Sequence, residues 1–66
     1  MLDSYILEAV TSGKKTRQAL LAMAPVWTTS QNAVSNVIDS LIESGQLVER
    51  NGILKQQSMF QVLAGN

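Results

Sequence analysis

The five cationic side chains of this 66-residue chain lie in two short stretches of the sequence. The members of the first stretch are Lys14, Lys15 and Arg17, those of the second are Arg50 and Lys55, and no Lys or Arg occurs between Gln18 and Glu49. A phosphate contact needs positive charge within reach and little else, so both stretches are candidate anion-binding groups. The formal net charge is zero, so a basic surface exists only if folding separates the cations from the five acidic side chains.

The sequence contains neither cysteine nor histidine. Disulfides, thiolate or imidazole metal sites, and Ser-His or Cys-His nucleophile pairs are therefore excluded. We expect no enzymatic activity and no cofactor.

The length of the chain predicts one domain that spans residues 1–66, with roughly 60% of the surface of the unfolded chain buried. The first eight residues carry two acids and no basic region, and no apolar run approaches the roughly 18 residues that span a bilayer. We expect a soluble, cytoplasmic protein without membrane association, and the absence of cysteine is consistent with a reducing compartment.

Apolar periodicity and capping residues predict three helices. The first runs from Leu2 or Asp3 to Thr11, before the stop signal at Gly13. The second begins after the N-cap Thr16 and continues to Ala24, where Pro25 ends it. The third has Thr29 or Ser30 as its N-cap and continues to about Ser44.

The third helix is amphipathic. Its apolar stripe consists of Val34, Val37, Ile38, Leu41 and Ile42, and its outward face consists of Asn32, Asn36, Asp39 and Glu43, flanked by Ser35 and Ser40. Trp27 is expected to pack under this helix, and Tyr5 and Phe60 are expected in the core, because a small domain rarely leaves large aromatic rings exposed.

The segment after Gly45 predicts a β-hairpin, for which two arrangements fit the sequence. In the first, strands 46–50 and 53–56 flank a type I′ turn at Asn51-Gly52. In the second, residues 51–58 form a long loop, and residues 59–63 form the strand that pairs with 46–50. The alternation of side chains over residues 53–58 does not distinguish them.

The run Leu41-Ile42-Glu43-Ser44-Gly45-Gln46-Leu47-Val48-Glu49-Arg50 is similar to the L-x-x-x-G-x-L-V-x-R signature of bacterial winged helix-turn-helix regulators. Together with the order of elements, it makes nearly the whole chain resemble that family. The resemblance implies an α+β, mainly α fold, in which three helices are followed by a C-terminal β-hairpin wing. It implies a small regulator of transcription that binds double-stranded DNA, with helix 30–44 in the major groove and the wing on the backbone.

Carried over by position, the resemblance also implies two sets of contact residues. The base-reading candidates, from the tip and first turns of the third helix, are Thr29, Ser30, Gln31, Asn32, Ser35 and Asn36. The phosphate-binding candidates beside helix 2 and on the wing are Lys14, Lys15, Arg17, Arg50 and Lys55. Asn and Gln amides suit a bidentate contact with adenine, and Ser and Thr hydroxyls can donate or accept.

The chain departs from the family in one respect, because its third helix carries no Arg or Lys and has Asp39 and Glu43 on its outer face. This departure and the zero net charge favour an alternative, a winged-helix protein-protein interaction module without DNA binding. That alternative predicts an exposed apolar patch. Homodimerisation would double the cations available to DNA, and helix 1 is the expected interface if the core leaves Leu2 and Tyr5 accessible.

Overall fold

Three helices precede one antiparallel hairpin in the computed structural model, which describes residues 2–57. The helices are α1 (Leu2–Thr11), α2 (Arg17–Leu21) and α3 (Gln31–Glu43), and the strands are β1 (Leu47–Arg50) and β2 (Ile53–Gln56). This arrangement confirms the predicted α+β, mainly α fold with a C-terminal hairpin. It is consistent with a winged-helix layout.

The hairpin has the tight turn of the first predicted arrangement. Asn51 and Gly52 both have positive φ, at 53° and 78°, as a type I′ turn requires, and Arg50 pairs with Ile53 across it. The long-loop arrangement is wrong, because β1 pairs with Ile53–Gln56. Residues 59–63, which that arrangement placed in a strand, lie outside the described residues.

Helix α2 ends at Leu21, three residues before the predicted end at Ala24. Beyond it the backbone tightens, because Met23 N donates to Leu20 O at 3.0 Å and Ala24 N to Leu21 O at 3.1 Å. The reason is Pro25, whose ring in a continuing α-helix would clash with the carbonyl of Leu21, four residues earlier. Proline therefore affects the turn before it as well as the residue at which it stands.

A strained turn leads from α2 into α3. Thr28 has φ of 56°, in the left-handed region that β-branched residues rarely adopt. Its N–H donates to Pro25 O at 3.1 Å, and the N–H of Thr29 donates to Ala24 O at 3.0 Å. These bonds reverse the chain so that α3 begins directly after the turn.

The core lies between the helices and the inner face of the hairpin. Its fully buried side chains are Ile6, Val10, Leu20, Val34, Ile38, Leu47 and Leu54. The apolar stripe predicted for α3 faces this core, while Asn32, Asn36, Asp39 and Glu43 are exposed. The predicted amphipathicity of α3 is confirmed.

Tyr5 is not a core residue, contrary to the prediction. Its side chain is 48% exposed and stacks against Trp27, with ring centroids 6.2 Å apart and an interplanar angle of 27°. Trp27 is half-buried and packs against the edge of the core. The two rings cover one another because neither is fully accommodated inside so small a core. Phe60 lies outside the described residues.

The connector between α1 and α2 runs beside the hairpin. Lys15 O accepts a hydrogen bond of 2.7 Å from Leu54 N, whose N–H points away from β1. The connector therefore lies along the edge of β2 opposite β1 and covers part of an otherwise free strand edge.

Candidate nucleic-acid interface

Two of the predicted base-reading residues have structural roles at the start of α3. Ser30 is the N-cap, and its Oγ accepts a hydrogen bond of 3.1 Å from Ala33 N. Gln31 Nε2 donates to Leu21 O at 3.4 Å and so links the first turn of α3 to the last residue of α2. These contacts fix where α3 begins and how it leaves the turn.

The remaining base-reading candidates differ in accessibility. Thr29 and Ser35 are half-buried, whereas Asn32 and Asn36 are exposed. The two asparagines stand one helical turn apart, at a spacing that puts their side chains on the same face of α3. Neither amide makes a side-chain hydrogen bond within residues 2–57, so both are available to an external partner.

Arg17, one of the predicted phosphate-binding residues, forms ion pairs with two acidic side chains of the protein itself. Its Nη2 donates to Asp39 Oδ1 at 2.8 Å, and its Nε donates to Glu49 Oε2 at 3.0 Å. The hydrogen bond to Glu49, and to a smaller extent the one to Asp39, raises the pKa of the Arg17 guanidinium above its ordinary value. Arg17 thus joins α2, α3 and β1 through side chains on the surface.

The same contacts change the charge of the outer face of α3. Asp39 is exposed but lies against the Arg17 guanidinium, which offsets its negative charge. Glu43, one turn further on, makes no ion pair within residues 2–57 and is exposed. Asp39 lies between the two asparagines and Glu43 on this face, and its charge is neutralised by Arg17. The asparagines are therefore not next to an unpaired acidic side chain on this face.

Folding brings the connector lysines and Lys55 together at the edge of the hairpin. The 2.7 Å hydrogen bond from Leu54 N to Lys15 O holds the connector against β2 at the residue before Lys55. The connector lysines therefore lie close to Lys55. Lys14, Lys15 and Lys55 are all exposed, and none makes an ion pair within the described residues. Residues 40 positions apart in the sequence thus form one positive edge.

Arg50 and Lys55 share the outward face of the hairpin. Cross-strand partners lie on the same face, and the pairs Val48–Lys55 and Arg50–Ile53 alternate with Glu49–Leu54, whose leucine is buried. Arg50 therefore stands on the face opposite Glu49 and its partner Arg17. Lys55 lies beside the connector lysines, whereas Arg50 stands at the turn end of the hairpin, and neither is on the face of the hairpin that reaches Asp39 through Arg17.

Residues 2–57 contain no group of three or more Asp or Glu side chains able to hold a metal ion, and none of their helices combines the length and apolarity needed to cross a bilayer. Comparisons with family models, curated proteins and solved structures found no match to this chain.

Proposed function

We propose that this protein binds double-stranded DNA as a small regulator of transcription, with α3 in the major groove and the hairpin on the backbone. The observation that carries the proposal is the pair of exposed amides, Asn32 and Asn36, on one face of α3. An asparagine side chain can donate from its NH2 group to adenine N7 while its carbonyl oxygen accepts from adenine N6, so one amide contacts the major-groove edge of adenine at two points. A helix with such a face and no competing internal hydrogen bonds is suited to read base edges.

The backbone contacts in this proposal come from Lys14, Lys15, Lys55 and Arg50. All four are exposed and make no ion pair within residues 2–57, so their charges are free to meet phosphates. Arg50 directly precedes the exposed hairpin turn at Asn51-Gly52. Arg17 is left out of this set because Asp39 and Glu49 already hold it.

Salt dependence provides the first test. Four phosphate contacts predict a slope of about −3.6 for log affinity against log salt concentration, because each neutralised phosphate contributes about −0.9. The measurement is fluorescence anisotropy with a labelled duplex of mixed sequence. Affinity that stays constant between low and physiological salt would rule out this mode of binding.

Two sets of variants separate base reading from phosphate binding. Lys14→Gln with Lys15→Gln should weaken binding to every duplex alike and make the slope less negative by about 2. Asn32→Ala and Asn36→Ala should leave the slope unchanged and reduce the preference among sequences selected from a random duplex pool, by about 1–3 kcal/mol for each lost bidentate contact. If both sets behave alike, the asparagines do not read bases.

We also propose a second candidate function, a protein-interaction module, on the basis of the exposed apolar side chains. Tyr5 is 48% exposed beside Trp27, and Val26 is 69% exposed in the turn before α3. Because α1 leaves Tyr5 accessible, a homodimer through α1 is one form of this function. In sedimentation velocity runs, Tyr5→Ser should abolish self-association through α1. Val26→Ser tests whether the turn before α3 contacts the protein partner.

The two candidates differ in what they bind. A pull-down that recovers nucleic acid alone contradicts the interaction module. A pull-down without nuclease treatment that recovers a protein and no nucleic acid contradicts DNA binding. We propose the cytoplasm as the site of action, because a regulator of transcription acts where the DNA is, and a sequence free of cysteine is consistent with that reducing compartment.

A further inference from the structure

An open groove runs between the start of α1 and the C-terminal half of α3. Its volume is about 510 Å³, and its apolar floor is formed by Leu2, Val37 and Leu41. Asp3, Ser40 and Gln46 are among its polar lining residues. Leu2 and Val37 are only half-buried, so the groove leaves apolar surface uncovered within the described residues.

The described chain ends at the edge of this groove. Gln57 N donates to Gln46 O at 2.9 Å, and Gln46 itself lines the groove. Gln57, the last described residue, is therefore hydrogen-bonded to a residue of the groove lining. An extended chain advances roughly 3.3–3.6 Å per residue, so a segment of six residues reaches at most roughly 20 Å from its start.

The nine residues that follow Gln57, residues 58–66, have an uncharged and largely apolar composition that suits an apolar groove. They carry no charged side chain, and Met59, Phe60, Val62 and Leu63 are apolar. Phe60 is the only phenylalanine of the protein. A phenylalanine ring contributes roughly 150–250 Å² of surface on burial, which favours packing it against any apolar surface within reach.

We propose that the segment 58–63 of this chain docks into the groove, with Phe60 as its anchor on Leu2, Val37 and Leu41. Among the described residues that line the groove, Asp3 alone is charged, and it is exposed, so an uncharged segment enters without bringing in an unpaired charge. The docked segment would hold the start of α1 against the end of α3, which lie far apart in the sequence. This proposal does not depend on DNA binding.

Disulfide trapping tests the proposal, because the natural chain has no cysteine to interfere. The reporter is the full chain with Ser40→Cys and Gln61→Cys, which joins the groove to the segment and keeps Phe60. The matched control has Glu43→Cys and Gln61→Cys, since Glu43 is also exposed near the end of α3 but does not line the groove. Oxidation is followed at low protein concentration by non-reducing electrophoresis and intact mass.

The expected result is a disulfide within one chain that forms about tenfold faster in the Ser40 pair than in the Glu43 pair, through a higher effective concentration. Adding Phe60→Asp to the Ser40 pair should reduce its rate to that of the control. Equal rates in the two pairs would overturn the proposal. So would disulfides that form mainly between chains, which would indicate a second copy in the groove, or a rate that Phe60→Asp leaves unchanged.

Discussion

The guanidinium of Arg17 donates to the carboxylate of Asp39 at 2.8 Å and ties the start of α2 to the outward face of α3. Its other contact, with Glu49 at 3.0 Å, adds β1 to the same cluster. One side chain thus connects three elements on the surface of the molecule. It also neutralises part of the acidic end of the helix that we propose to enter DNA.

Replacing Arg17 should destabilise the protein modestly. Arg17→Met keeps most of the aliphatic stem and removes both ion pairs, and exposed pairs contribute roughly 0.2–1 kcal/mol each. We expect a loss of roughly 0.5–1.5 kcal/mol in the free energy of unfolding, measured by urea denaturation. The loss should shrink in 1 M NaCl, where exposed charges are screened. Lys14→Met is the control, because Lys14 makes no ion pair within residues 2–57.

Removing the acidic partners of Arg17 should strengthen DNA binding. In the double variant Asp39→Asn with Glu49→Gln, the guanidinium is free to contact a phosphate, and the slope of log affinity against log salt should become more negative by about 0.9. Glu43→Gln removes an acid that does not hold Arg17 and serves as the control. A slope that is the same in the two variants would show that Arg17 does not reach the DNA backbone.

Ser30 should matter for stability more than for recognition. Its Oγ accepts from Ala33 N at 3.1 Å, and the loss of such an N-cap typically costs about 1 kcal/mol. Ser30→Ala should therefore lower the free energy of unfolding by about that amount, whereas Ser30→Asp should restore it. Ser40→Ala, in the middle of the same helix, is the control: its hydroxyl accepts from no backbone N–H within the described residues, so this variant should not be destabilised.

Relief of the backbone strain at Thr28 should stabilise the protein. A non-glycine residue in the left-handed region costs roughly 1–2 kcal/mol, and glycine removes this cost. Glycine also increases the conformational entropy of the unfolded chain, which offsets part of the stabilisation. Thr28→Gly should therefore raise the free energy of unfolding by roughly 0.5–1 kcal/mol. Thr29→Gly should lower it, because Thr29 is outside the positive-φ region. Thermal unfolding followed by circular dichroism checks both variants.

The hairpin turn should be sensitive to chirality at position 52. Gly52 has φ of 78° and no atom within 4 Å of the position that a Cβ would take, so the cost of a side chain arises from the backbone alone. Gly52→Ala should destabilise the protein by roughly 1 kcal/mol. Replacement of Gly52 by D-alanine through chemical synthesis should avoid that cost, since a D-residue favours positive φ. Equal losses in both proteins would contradict the type I′ turn.

Local sequence signals determined much of this fold. The end of α1 at Thr11, the N-caps Thr16 and Ser30, and the Asn51-Gly52 turn were predictable because each depends on residues within a few positions of one another. The polar and apolar faces of α3 were predictable for the same reason, since helical spacing alone sorts its side chains.

Only the tertiary structure decided the contacts between distant residues. The Arg17–Asp39 and Arg17–Glu49 pairs span 22 and 32 positions, and nothing in the neighbourhood of Arg17 in the sequence identifies those partners. The Lys15–Leu54 bond and the exposure of Tyr5 likewise depend on how the elements pack. Periodicity specifies which face of an element is apolar, but the distances between elements follow from the packing of all side chains at once.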